Sequence, residues 1–305
     1  MEHRETEGEP VVDRTRPLGY EEWREARDGL LARYPFLHYE AVGASVLGRE
    51  LGVFRIGSGQ REIHYNGSMH ANEWITGMML MVFLEELAEA YRQDGLFMGL
   101  SASRLLERTT LWLMPLVNPD GVNLALHGLE GTGDLSSQLR EWNGGRTDFS
   151  NWKANIRGVD LNDQFPANWE QERARRDTGG PGPRDYTGEA PLVEPEALAL
   201  AEFTQIRSFD MVIAFHTQGR EIYWNYRDQE PAESVVWAER FRKASGYVPV
   251  KLAGSDAGYK DWFIQEFGKP GFTVEAGFGI NPLPLQQFPT IYREAAAIML
   301  EGLKG

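Results

Sequence analysis

"EIHYNGSMHANEWITGMMLMVFLEELAEAY", residues 62–91, decides how this chain folds. Its first eight residues, "EIHYNGSM", read as a strand. Its last sixteen, "TGMMLMVFLEELAEAY", carry apolar residues at helical spacing. Between them, "HANEW" is a tight strand-to-helix passage. A buried strand that feeds a long amphipathic helix is half of a βαβ unit, and such units build sheets covered on both faces.

The flanking sequence repeats the theme. "LGVFRIG" at 51–57 reads as a strand, and "TTLWLMPLVN" at 109–118 as a buried central strand. "DMVIAFHT" at 210–217 and "GFTVEAG" at 271–277 read the same way. Helical spacing recurs in "YEEWREARDGLLARYP" (20–35), from Glu194 to Ser208, from Pro231 to Ala244, in a short helix from Asp261 and in a final helix from about Pro289. The expected fold is α/β, with a mixed, mostly parallel central sheet and helices on both faces. Residues 1–18 are polar and read as a mobile N-terminal arm, and residues 19–305 as a single catalytic domain. Residues 128–150 and 170–190 read as long loops, and long loops in a compact domain tend to be functional.

Bulk composition narrows the function classes. The 305 residues are 42% hydrophobic and 25% charged, which is ordinary globular composition. A net charge of -14 and the lack of a basic stripe exclude a nucleic-acid surface. There is no cysteine, hence no disulfide or thiol chemistry. No apolar run is long enough to span a membrane. The first residues contain no apolar signal segment, so a cytoplasmic location is expected, with secretion the lesser alternative. Oligomeric state is not legible.

In parallel sheets, ligands sit at the carboxyl ends of the strands. His70 and Glu73 fall just past one strand, where an imidazole and a carboxylate can meet at one point. Zinc accepts both, and a catalytic zinc takes three protein ligands and keeps one open position. The chain has six histidines. His3 lies in the arm, His38 in an early connection and His127 in polar sequence. His64 is mid-strand and reads as a buried, satisfied residue. His216 ends the apolar run "DMVIAF" and is the natural third ligand. Glu275 stands near the end of an otherwise apolar strand, where a carboxylate is costly unless paired or working. There it can take a proton from water and pass it to a leaving amine.

The order H-x-x-E, "NPDG" (118–121), "GVDLN" (158–162), a strand-terminal His and a strand-borne Glu resembles the zinc carboxypeptidases over residues 20 to 300 or so. That resemblance implies a zinc peptidase, with His70, Glu73 and His216 as ligands and Glu275 as general base. It implies that Asp160 orients His70, a role with a physical reason, because a ligating imidazole needs its other N–H held. It also implies departures. Asn162 keeps a substrate-binding position, but the family's terminal-carboxylate arginine is replaced by Asp163. The family's oxyanion-stabilising arginine aligns with Lys153 in "NWKANIRG", and Arg157 competes for that role. The family's substrate-facing aromatic hydroxyl aligns near Ala253, so Tyr259 is the expected replacement. Lys260 falls at the base of the specificity pocket.

An acid and one or two bases suit a substrate bearing both an ammonium and a carboxylate. "GVDLNDQFP" and "EAGFGINPLP" resemble the bacterial γ-D-glutamyl-L-diamino-acid peptidases, which implies peptidoglycan stem peptides containing meso-diaminopimelate as substrate. Asp163 is then expected to read the ammonium. The alternatives are another zinc carboxypeptidase or an N-acyl amino acid deacylase on the same scaffold, and a muropeptide-binding protein without turnover. Retention of Glu275, which binding alone does not need, argues against the last.

Overall fold

The computed structural model describes residues 9–176 and 178–305. Ten strands occur among them: β1 (His38–Ala44), β2 (Glu50–Ile56), β3 (Arg61–Asn66), β4 (Leu96–Phe97), β5 (Leu100–Ser101), β6 (Thr109–Met114), β7 (Met211–His216), β8 (Glu221–Tyr223), β9 (Val248–Val250) and β10 (Gly271–Glu275). Eight form one sheet in the order β1-β2-β6-β3-β7-β10-β8-β9, and β4 and β5 make a separate small ribbon. The centre of the sheet is parallel, because β3 pairs with both β6 and β7, and β7 with β10. The β1-β2, β2-β6 and β10-β8 pairs are antiparallel.

Strand alternation sorts the side chains into two layers. Met211, Ile213 and Phe215 of β7 and Phe272 and Val274 of β10 join the larger core, under helices Ile75–Arg92 and Phe288–Leu303. Val212 and Ala214 face the opposite core, under helices Pro195–Gln205 and Tyr259–Phe267. His64 points into that second layer. It is wholly buried and stacked 5.2 Å from the Phe209 ring, and burial pulls its pKa down to about 3. It is a neutral core residue, not a ligand.

The strand-to-helix passage after β3 is tightly made. Helix Ile75–Arg92 starts so close to the end of β6 that a Cβ at Gly77 would lie 2.4 Å from the Pro115 carbonyl oxygen. Glycine is required there. The buried Asn118 amide fixes the same corner. It donates to Met69 O (3.1 Å) and Ala154 O (3.2 Å) and accepts from Gly121 N (2.9 Å). The "NPDG" turn is thus a brace for the residue before His70.

Several elements differ from the sequence expectation. Within 128–150 and 170–190 the structure has helices Ser136–Trp142 and Trp169–Arg175. Strands β1, β8 and β9 were not anticipated. Residues 1–8 of the expected arm lie outside the described residues, but 9–18 are packed. Val12 is fully buried, and the backbone N–H groups of Val11 and Val12 donate to the Glu85 carboxylate at 2.6 and 3.0 Å. A mobile segment would leave Glu85 without those donors. Among the described residues, no helix is long and apolar enough to cross a membrane.

Candidate active site

Three parallel neighbours deliver the site. His70 follows β3, His216 is the last residue of β7 and Glu275 the last of β10. His70 Nδ1 lies 2.9 Å from Glu73 Oε1. His216 Nδ1 lies 3.0 Å from His70 Nδ1 and 3.1 Å from Glu73 Oε2. All three residues are buried. Two bare ring nitrogens 3.0 Å apart aim their lone pairs at one point, which a shared proton or a metal cation satisfies. Two imidazoles and a carboxylate at one point are a donor set that fits zinc, which binds such atoms at about 2.0–2.2 Å.

Beyond this triad the groups order one another. Asp160 Oδ1 sits 3.1 Å from His70 Nε2, and Lys153 Nζ is 2.6 Å from Asp160 Oδ2. Burial works against charge on each of them, but the pairs outweigh it. Lys153 and His70 hold Asp160 well below the usual carboxylate range, and Asp160 with Asp163 lifts Lys153. Burial pulls His70 down, yet Glu73 and Asp160 raise it to about 9. Glu73, opposed by the same burial, is lowered to about 2 by His70 and His216. These groups therefore favour an ionised carboxylate at the point where the nitrogens meet.

Glu275 has the opposite environment. Burial, and next the Glu73 carboxylate, push its pKa up to about 8. Among the described residues it has no ion-pair partner. This unpaired carboxyl stands one strand from His216.

Other expected site residues are placed differently. Tyr259 is a correction. It opens helix Tyr259–Phe267, is fully buried, and its hydroxyl bonds to Thr204 Oγ1 at 3.0 Å while its ring packs against Phe165 and Trp262. It belongs to the core and does not face substrate. Asp163 is buried and already carries a cation, with Arg176 Nη2 2.8 Å from its Oδ2. Burial and Asp160 still raise its pKa to about 7, against the pull of Arg176. Lys153 is tied to Asp160, and Arg157 lies half exposed, 3.6 Å from Glu194. Asn162 Oδ1 accepts from the Tyr259 backbone at 3.4 Å. Lys260 lines a cavity of about 430 Å³ with Asn225, Tyr226, Ala253 and Asp261. Its ammonium donates to Asn225 O at 2.7 Å and is paired with Asp261.

Sequence reasoning missed Asn281 and Thr217. Asn281 Nδ2 donates to Glu73 Oε1 (3.3 Å) and to Thr217 O (2.8 Å), while the Thr217 hydroxyl donates to Asn281 Oδ1 (2.7 Å). The Thr217 N–H reaches Glu73 Oε2 at 3.2 Å. The amide orientation follows from this alone, because flipping it would set Oδ1 against two acceptors. Asn281 thereby ties the loop after Glu275 to the carboxylate of Glu73. The only signal was its place in "EAGFGINPLP", six residues past Glu275.

Residues 24–295 match the zinc carboxypeptidase family, and the chain belongs to that family. It is a zinc metallopeptidase. Among individual relatives, it is 53% identical over 274 residues to the γ-D-glutamyl-L-diamino acid endopeptidase 1 of Lysinibacillus sphaericus, covering 90% of this chain and 69% of that protein. It is 43% identical over 274 residues to the uncharacterized protein YqgT of Bacillus subtilis (strain 168), covering 88% of this chain and 73% of that one. Among solved structures, thrombin activatable fibrinolysis inhibitor superposes with a TM-score of 0.76 at 20% identity, covering 95% of this chain and 74% of that one, which speaks to the fold.

Proposed function

We propose that this chain hydrolyses the amide bond between γ-D-glutamate and an L-diamino acid, meso-diaminopimelate in particular, in peptidoglycan stem peptides. The observation that carries the substrate class is the 53% identity, over nine-tenths of the chain, to a γ-D-glutamyl-L-diamino acid endopeptidase. In this reading His70, Glu73 and His216 hold the zinc. Zinc, when bound, polarises the scissile carbonyl and makes water a stronger acid. Glu275 takes a proton from the attacking water and returns it to the leaving amine nitrogen. Its place beside His216 in the sheet register, with no ion-pair partner among the described residues, suits both halves of that transfer. Asp160 accepts from His70 Nε2 and holds its ring so that Nδ1 faces the metal position. Lys153 pairs with Asp160 and keeps that carboxylate ionised beneath His70.

The test is mass spectrometry of products from a stem tripeptide and tetrapeptide. Release of free diaminopimelate from the first, and of diaminopimelyl-alanine from the second, is expected. Loss of only the terminal residue from the tetrapeptide would identify an ordinary carboxypeptidase instead. Turnover of N-acyl amino acids without either cleavage would identify a deacylase.

A further inference from the structure

The sheet register sets three side chains in a row. Glu275 of β10 is the cross-strand partner of His216 on β7, and on its other side of Glu221 on β8. Directly opposed residues project from the same face of a sheet. Alternation confirms which face. Phe215, Val274 and Ile222 all enter the larger core, so the residues next to them point the other way, into the site. The proton carrier Glu275 is thus flanked by a metal-ligand candidate on one side and by a second carboxylate on the other.

Glu221 differs from the other acids around the site. Asp163 is held by Arg176, Asp160 by Lys153 and Asp261 by Lys260. Among the described residues, Glu221 has no cation. The neighbouring Arg220 turns away to Glu294 at 2.8 Å. The hydrogen bond that fixes the Glu221 carboxylate comes from the Tyr223 hydroxyl, 2.6 Å from Oε2. A Cβ at Gly219 would lie 3.6 Å from that carboxyl, so Glu221 lies along the loop that follows His216. A carboxylate oriented by a phenol, facing a reaction centre and lacking a cation, is a receptor for one.

We propose that Glu221, oriented by Tyr223, binds the distal ammonium of the diamino acid on the leaving side of the scissile bond. This rests on the function proposed above and replaces Asp163, whose charge Arg176 already meets. The dimensions agree. Opposed residues in an antiparallel pair have Cβ atoms about 4.5–5.5 Å apart. A four-carbon side chain extends by a similar length, so a diamino acid whose α-nitrogen faces Glu275 brings its ammonium to the adjacent strand.

The experiment compares two γ-D-glutamyl dipeptides, one ending in L-lysine and one in L-norleucine, which differ in the ammonium. The wild type is expected to favour lysine by about 10–100-fold in kcat/KM, the range of one charge-assisted hydrogen-bonded pair. In Glu221→Gln, with zinc content checked, that ratio is expected to collapse toward one, and in Tyr223→Phe to fall part of the way. A ratio unchanged in Glu221→Gln, or equal loss on both peptides, overturns the assignment. If the wild type cleaves neither peptide, the stem tripeptide decides the function reading, and calorimetric binding of free lysine against norleucine to zinc-loaded wild type and Glu221→Gln decides Glu221 by itself. A preference for lysine that vanishes in the variant supports it, and equal binding refutes it.

Discussion

The two halves of the site are held by different means. The His216–Glu275–Glu221 row is set by backbone register, so its spacing is that of the sheet whatever the side chains do. The chain Asp160–Lys153–Asp185–Arg176–Asp163 comes from connections between strands and helices, and ion pairs hold it together. Register gives position without neutralising charge, which leaves Glu275 and Glu221 free to react and to bind. Ion pairing neutralises charge, so the acids and bases on the loop side are occupied with one another. Chemistry should therefore depend on the first region, and stability and its pH dependence on the second.

The largest effect expected is loss of the metal. In His70→Ala/His216→Ala, stoichiometric zinc and all peptidase activity should disappear, as read by elemental analysis, with one zinc per chain in the wild type. A double variant that still held one tight zinc would mean the metal sits elsewhere. Next comes Glu275→Gln, which should keep its zinc and lose about 10²–10⁴ in kcat. Loss of zinc together with activity would make Glu275 a ligand.

A smaller effect joins the two regions. Asn281→Ala removes a donor from Glu73 and should weaken zinc binding by about 10–100-fold in chelator competition. Unchanged affinity would show that the Thr217 N–H alone suffices. The smallest effect belongs to the loop side. Asp163 has a pKa of about 7 in the folded chain, above its ordinary value, so its ionisation disfavours folding as pH rises from about 4 to 7. Asp163→Asn should lack this component. Its melting temperature should fall less than that of the wild type between pH 5 and pH 8, and parallel curves would place the titration on another group.

What could be read from sequence follows the same division. His70, Glu73, His216 and Glu275 were legible because long apolar runs announce buried strands, and their ends announce a site. Strands β8 and β9 have three residues each, too few for periodicity to show, so the register that places Glu221 was hidden. Tyr259 was misread by a helix boundary. The helix was expected from Asp261, which left Tyr259 in the preceding loop, but it starts at Tyr259 with Gly258 as N-cap and turns that ring inward. The partner of Asp163 lies 13 residues away, beyond helix Trp169–Arg175, and no local rule pairs an acid with a base at that distance. The buried anchoring of residues 9–18 was invisible because its polar composition gave no sign of Val12.

Asn118 has a consequence for how the protein can change. One amide side chain holds Gly121, Ala154 and Met69 together, so both ends of the stretch 121–154 are fastened at a single point beside the metal-binding turn. The exposed turn 144–148 between those anchors can lengthen without moving them, since each doubling of a flexible loop adds only about 0.6 kcal/mol of closure entropy. That turn is thus a natural insertion point, where added segments leave the residues around His70 in place.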